Sequence, residues 1–231
     1  MSKKGMKRGV LALAILIGTG FGAQAADCRG EAEPGRDWSG CNRRNLMLSG
    51  SNLDRADLRG TDLGQSDLRE TILTGANLED AKLGRSSLAG AKADGANFAA
   101  IEGYRTDLSK ISAQGASFRS AELQRSSFAG AALAGSNFEK AELGRVDFAG
   151  AALGDNNFTF ANLARASFKG AAIGGPLNFT GAYMFLTRIE GSDLSAVTGL
   201  QQGQIDLACG DKDTKLPAGL TGSAGWPCGF D

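Results

Sequence analysis

The chain has no histidine at all, and only two tryptophans, two tyrosines, four prolines and four cysteines among its 231 residues. Without an imidazole, neither a Ser/His nor a Cys/His nucleophile can be assembled. Zinc loses its commonest nitrogen ligand, and no two cysteines have the tight C-x-x-C spacing of a metal site. Net charge is missing too: 25 basic residues balance 25 acidic ones, so no excess points to nucleic acid as a partner. There is no glycine-rich phosphate loop, because the 34 glycines follow a fixed period instead. These absences argue against an enzyme, a cofactor and a bound metal.

Long apolar runs are equally scarce. Val10-Leu11-Ala12-Leu13-Ala14-Ile15-Leu16-Ile17 follows Lys3, Lys4, Lys7 and Arg8 and precedes Ala23-Gln24-Ala25. A basic start, a short apolar stretch and a small-x-small site read as a secretory signal peptide over 1–25, too short to span a membrane. Asp27 directly before Cys28 does not fit a lipoprotein signal. A mature chain with no membrane span is therefore expected to begin at Ala26 or Asp27, periplasmic or secreted. Loss of the leader removes four basic residues and no acidic one, which leaves a mildly acidic protein.

What is present is a period of five. Leu48, Leu53, Leu58, Leu63, Leu68, Leu73, Leu78, Leu83 and Leu88 begin a series that runs on through Phe98, Leu108, Phe118, Leu123 and Phe128 to Ile173. Small residues such as Ser51, Ala56, Thr61, Ala76 and Ala96 stand two positions earlier. On a helix, residues five apart are rotated by about 140°, which would spread the apolar set around the cylinder. On a straight strand an odd period would alternate faces. The chain must instead turn a corner every five residues, as a solenoid does.

A second period gives the number of corners. Arg85, Arg105, Arg125, Arg145 and Arg165 recur every twenty residues, and so do Phe98, Phe118, Phe138 and Phe158. Four fives make one coil, so residues twenty apart stack at about 4.8 Å. Ala56-Asp57-Leu58, Ala76-Asn77-Leu78, Ala96-Asn97-Phe98 and Ala161-Asn162-Leu163 resemble the A-(D/N)-L-x-x pattern of the pentapeptide-repeat family. The resemblance implies an all-β fold, a right-handed four-sided β-helix solenoid. Some cytosolic members mimic DNA and inhibit gyrase. That topoisomerase-inhibitor role needs a strongly acidic surface and access to the cytosol, which balanced charge and a leader do not supply.

The parts then divide as signal peptide 1–25, N-terminal cap 26–45, repeats 46–196 and C-terminal cap 197–231. Seven to eight coils put the ends on the order of 35 Å apart. Disulfide Cα atoms must approach within about 7 Å, so Cys28–Cys41 and Cys209–Cys228 are the expected pairs, one at each end. Residues 198–208 read as a short capping helix with Leu200, Gln204, Leu207 and Ala208 on one face.

Two opposed walls are expected to carry the core rings: Phe128, Phe148 and Phe168 on one, Phe98, Phe118, Phe138 and Phe158 on the other. Ala93, Gly103 and Ala113 leave a lightly filled girdle, which opens first unless Ile101 and Ile111 fill it. Outside, the arginines run beside Glu102, Glu122 and Glu142, and the expected arrangement is an ion-pair lattice; the sharper alternative is an anion or partner stripe. Walls of Ala, Gly and Ser, such as 127–135 and 149–154, are flat enough for a partner or a homodimer. The function expected is a scaffold that binds another protein or an envelope component through a side wall. A carrier of small anions along the arginines is the alternative.

Overall fold

The computed structural model describes residues 26–229, and the leader expected over 1–25 lies outside the described residues. From Gly35 to Gly170 every fifth residue has a positive φ, between 52° and 73°. Each such residue turns the chain through a corner. The residue after it donates its N–H to the carbonyl three positions back, as Ala56 does to Leu53 (3.1 Å) and Ala76 to Leu73 (2.9 Å). That turn tucks the side chain under the corner, which explains the small residues there: Ala56, Ala76, Ala96 and Ala116 are all buried.

Between corners only one or two residues are extended. The ladder is therefore a series of isolated parallel bridges with a twenty-residue register, Asp57↔Asn77↔Asn97↔Ser117↔Asn137 on one side and Asp62↔Lys82↔Glu102↔Glu122↔Glu142 on another. Named strands occur only where a second residue joins: β1 (Ala152–Leu153) pairs with β3 (Ala172–Ile173), and β2 (Asn156–Asn157) with β4 (Leu177–Asn178), both parallel. The first pair keeps a register of twenty and the second has twenty-one, so one residue is inserted at Gly174-Gly175-Pro176. The positive-φ corners shift with it, to Gly181, Leu186 and Gly191.

The ladder is longer than its expected bounds of 46–196. It begins at Asp37↔Asp57, inside the stretch 26–45, and its last bridge is Asp193↔Lys215. Helix α1 (Gln202–Leu207) interrupts the final coil. Of the expected face, Ala208 is buried, Leu200 packs on the core and Gln204 turns inward, but Leu207 is 42% exposed and Ile205, which lies outside that expected set, is 0% exposed. In the register of Arg188↔Cys209, Ile205 stands above buried Met184, so the coil rather than helical periodicity chooses the inward residue. Gln204 donates its amide to the carbonyls of Phe179 and Ala182 (both 2.9 Å), and Trp226 Nε1 donates to Ala208 (2.7 Å).

Inside, Phe98, Phe118, Phe138, Phe158 and Phe179 stack at centroid spacings of 4.9–5.3 Å. Phe128, Phe148 and Phe168 form the opposing stack, and the two meet edge to face at 5.3–6.0 Å. Edge-to-face contact sets the positive ring edges of one stack against the negative faces of the other. Most buried hydroxyls have a partner; among the described residues Trp38 Nε1, Arg43 Nε, Glu190 Oε2 and Ser192 Oγ are buried without one. Thr61, Thr106, Ser126 and Ser136 each donate a hydroxyl to the carbonyl twenty-three residues earlier, at 2.6–2.7 Å.

The girdle is filled. Ile101, Ile111, Ala93 and Ala113 are fully buried, and a Cβ placed on Gly103 would lie 2.7 Å from Leu123 Cδ2. Leu123 occupies the space that Gly103 leaves. Protection from hydrogen exchange across 93–113 is accordingly expected to equal that across 128–168. Gly103→Ala should destabilise by about 1–3 kcal/mol through overpacking, and Leu123→Val in the same chain should recover part of the loss. Denaturant titration of the two variants checks this.

Candidate functional site

One corner of the coil differs from the others. Its successive residues are Asn45, Gln65, Arg85, Arg105, Arg125, Arg145, Arg165 and Leu186, all at positive φ and none of them glycine. The next corner along the chain carries Gly50, Gly90, Gly130, Gly150, Gly170 and Gly191, with Glu70 and Lys110 between them. A left-handed conformation is nearly free for glycine and costs about 1 kcal/mol for a residue with a Cβ. The backbone N–H groups of the arginines are satisfied, for instance Arg125 to Gly144 (2.9 Å) and Arg145 to Ala164 (2.8 Å). The strain is local and the side chains are left free.

The expected lattice of arginine–glutamate pairs is absent. Among the described residues, Arg85, Arg105, Arg125, Arg145 and Arg165 have no carboxylate oxygen within 4.0 Å. The glutamates lie in mid-wall, three residues before the corner, and have other neighbours. Lys82 approaches Glu102 (3.6 Å), and Asn162 donates to Glu142 (2.8 Å). Arg105 lies over the ring of Tyr104, 5.2 Å from its centroid. Spacing of three along the chain brought the groups near in sequence, but the corner turns them apart. Pairs two residues apart on one face do close: Arg69 and Asp67 meet at 2.6 Å, and this bond holds the Asp67 carboxyl at about 2.

A hollow of 630 Å³ opens at the far end of this corner. Arg145, Arg165 and Leu186 line it from the corner, Arg188 and Glu190 from the next wall, and the Cys209–Cys228 disulfide from above. Arg188 Nε donates to Glu190 Oε1 at 3.0 Å, while Glu190 Oε2 is buried without a partner. A shallower hollow of 330 Å³ lies toward the other end, with Arg85, Lys82, Glu102 and Tyr104 on its rim. Sequence reasoning found the arginines but not Leu186, Arg188 and Glu190. The one signal was Cys209, which the coil register sets on Arg188.

Cys28 is bonded to Cys41 with Cα atoms 5.4 Å apart, and Cys209 to Cys228 at 5.5 Å. Phe98, Phe118, Phe128, Phe138, Phe148, Phe158 and Phe168 are buried in the core, whereas Phe160 and Phe185 are exposed. No group of three metal-ligating side chains is found among the described residues, and no helix there is long and apolar enough to cross a membrane.

A profile of the family "Pentapeptide repeats" matches in eight copies over residues 39–75, 71–100 and 104–139. The chain is a pentapeptide-repeat protein. Membership makes the solenoid a right-handed β-helix. No curated protein sequence matches the chain. Similar solved structures include QnrB1, a plasmid-mediated fluoroquinolone resistance protein. It is 18% identical over 77% of this chain and 94% of that one, with a TM-score of 0.39. HetL, involved in heterocyst differentiation regulation in the cyanobacterium Nostoc, is 22% identical over 79% and 90%, with a TM-score of 0.23. A pentapeptide repeat protein of the Arabidopsis thaliana thylakoid lumen is 23% identical over 73% and 80%, with a TM-score of 0.18.

The end of the coil that bears the hollow is tied by carboxylates. Asp193 accepts from the Ser195 hydroxyl (2.6 Å) and from Lys215 (2.9 Å), which hold its carboxyl at about 2. Asp211 accepts the Gly191 N–H (3.0 Å), which lowers its carboxyl as well. Both folded values lie below the unfolded value of about 3.9. Their contribution is complete above that value and is lost as pH falls through the lowered folded values, about 2 for Asp193. Amide exchange at Gly191, Ser195 and Lys215, corrected for the intrinsic rate, should therefore accelerate between about pH 5 and pH 2 while Phe138 and Phe158 stay protected. Equal acceleration at both places would contradict the assignment.

Proposed function

We propose that the mature chain is an exported, non-catalytic scaffold that binds an acidic face of another protein or envelope component along the corner from Arg85 to Arg165. In this reading the coil is four-sided, and α1 with the residues after it closes its last turn. The observation that carries the proposal is that, among the described residues, none of the five successive corner arginines has a carboxylate oxygen within 4.0 Å. Like charges at the coil spacing repel by about 0.9 kcal/mol per neighbouring pair even in water. The corner adds backbone strain to that repulsion, and the isolated chain offers nothing in return. An acidic surface offsets both. A DNA-mimic role requires the opposite sign of charge at this edge.

Two disulfides support an oxidising compartment, and with it the leader over 1–25. N-terminal sequencing of the protein recovered from the periplasm or medium should give Ala26 or Asp27 as the first residue. A second reading, a carrier of small anions, is favoured by the 630 Å³ hollow at the end of the same corner.

Poly-glutamate is a suitable probe for the acidic partner. Its binding should weaken steeply with salt and vanish in the triple variant Arg105→Gln, Arg125→Gln, Arg145→Gln, because the interaction is between exposed charges. Stability of that variant should change by no more than about 1 kcal/mol. Arg125→Gly is the more diagnostic single change. It should lower poly-glutamate affinity while leaving stability unchanged or raising it by up to about 1 kcal/mol, since relief of φ strain offsets the added freedom of the unfolded chain. Binding that is absent, or indifferent to salt, would overturn the proposal.

A further inference from the structure

We propose that the hollow beneath the Cys209–Cys228 disulfide is a binding site for a free α-amino acid with an aliphatic side chain. The regular walls carry only the shallower hollow of 330 Å³ near Arg85, because most residues repeat their counterpart one coil away. Here the arginine series is interrupted: Leu186 takes the position that arginine holds in the five preceding coils, and the tail, tied down through Cys228, lies over the wall. The result is a cavity of 630 Å³, within the range that holds a small organic molecule.

Its lining calls for three chemical features at once. Arg145 and Arg165 bring two guanidinium groups with no carboxylate oxygen within 4.0 Å among the described residues, the planar, forked donors that carboxylates favour. Glu190 presents a carboxylate oxygen, Oε2, that is buried and accepts from nothing, while Oε1 is engaged by Arg188. A buried acceptor left unpaired is costly, so a ligand that brings a donor is favoured over one that does not. Leu186 and the disulfide supply an apolar surface. A carboxylate for the arginines, an ammonium for Glu190 and an aliphatic group for Leu186 and the disulfide describe an aliphatic amino acid. Inorganic phosphate satisfies the first feature only, and Glu190 opposes its second charge.

The inference rests on the reading of the arginine corner as unneutralised, and the test separates the two. Calorimetric titration of the oxidised mature chain with L-leucine, isocaproate, leucic acid and phosphate gives the comparison. Leucine is expected to bind at least about tenfold more tightly than isocaproate, which lacks the ammonium, with leucic acid between them and phosphate weakest. Glu190→Gln should abolish the preference for leucine over isocaproate. The double change Arg145→Gln, Arg165→Gln should remove binding of both, and Cys228→Ser should weaken both by releasing the overhang. If Glu190→Gln fails to fold, the order of the four probes on the unaltered chain still decides. No leucine binding, equal affinity for leucine and isocaproate, or binding that survives loss of both arginines would overturn the site. Poly-glutamate titrated in parallel distinguishes the failures: if it binds and leucine does not, only this inference falls; if neither binds, the function proposed for the corner falls with it.

Discussion

Each residue of this chain rests on its own counterpart one coil away, and most of the structure follows from that constraint. Inside, the repetition is favourable. Phenylalanine on phenylalanine at 4.9–5.4 Å gives continuous stacks, and two such stacks meet edge to face along the axis. Hydroxyls that would be expensive to bury find a carbonyl at the same offset in coil after coil. Outside, the same repetition is a cost whenever the residue is charged. Asparagine can ladder with asparagine, as Asn97 does by donating to Asn77 (3.0 Å), but arginine on arginine only repels. A ladder of one charge therefore needs a partner outside itself.

The corners impose the second constraint. A turn every five residues demands a left-handed residue every five, and glycine is the cheapest answer. The coil uses glycine at many corners and abandons it along one edge, where asparagine, glutamine and then five arginines are carried at φ near 60°. Inward residues vary little because volume limits them. Corner residues vary widely, and their side chains stand clear of both adjoining walls. Chemistry on such a fold thus gathers at the corners, while mid-wall charges are consumed by neighbours, as Glu102 is by Lys82 and Glu142 by Asn162.

The fives and the twenties were legible in the sequence because side-chain identity itself repeats: Leu48 to Leu88 and Phe98 to Phe158 state the register directly. The charge pairing was not. Glu122 and Arg125 are three residues apart, but the left-handed corner between wall and arginine directs the two side chains differently, and spacing alone carries no direction. On α1, Leu207 was misplaced and Ile205 missed for a related reason, although Gln204 and Ala208 do turn inward. A six-residue helix is too short for its own periodicity to rule, and the coil register selected Ile205 over Leu207. The ladder also begins at Asp37, ahead of the leucine series, because Trp38 and Cys41 fill inward places that the series does not mark. The hollow depends on where the tail crosses the wall, and a disulfide spanning nineteen residues fixes that only in three dimensions.

A perfect ladder makes only shallow relief, such as the 330 Å³ hollow where Gly64, Gly84 and Gly103 leave room on a regular wall. The deeper recess accompanies a break in register. An extra residue at Gly174-Gly175-Pro176 changes the offset from twenty to twenty-one, and Arg188↔Cys209 and Asp193↔Lys215 carry it to twenty-one and twenty-two. The final coil can then hold α1 and hand the chain to a tail that folds back over the wall. The same break ends the arginine series and places Leu186, Arg188 and Glu190 under the disulfide. The buried, unpartnered oxygen of Glu190 lies at this one irregular end, not on the regular walls. Regular coils thus provide a charged edge, and their interruption provides the larger of the two recesses described, 630 Å³ against 330 Å³.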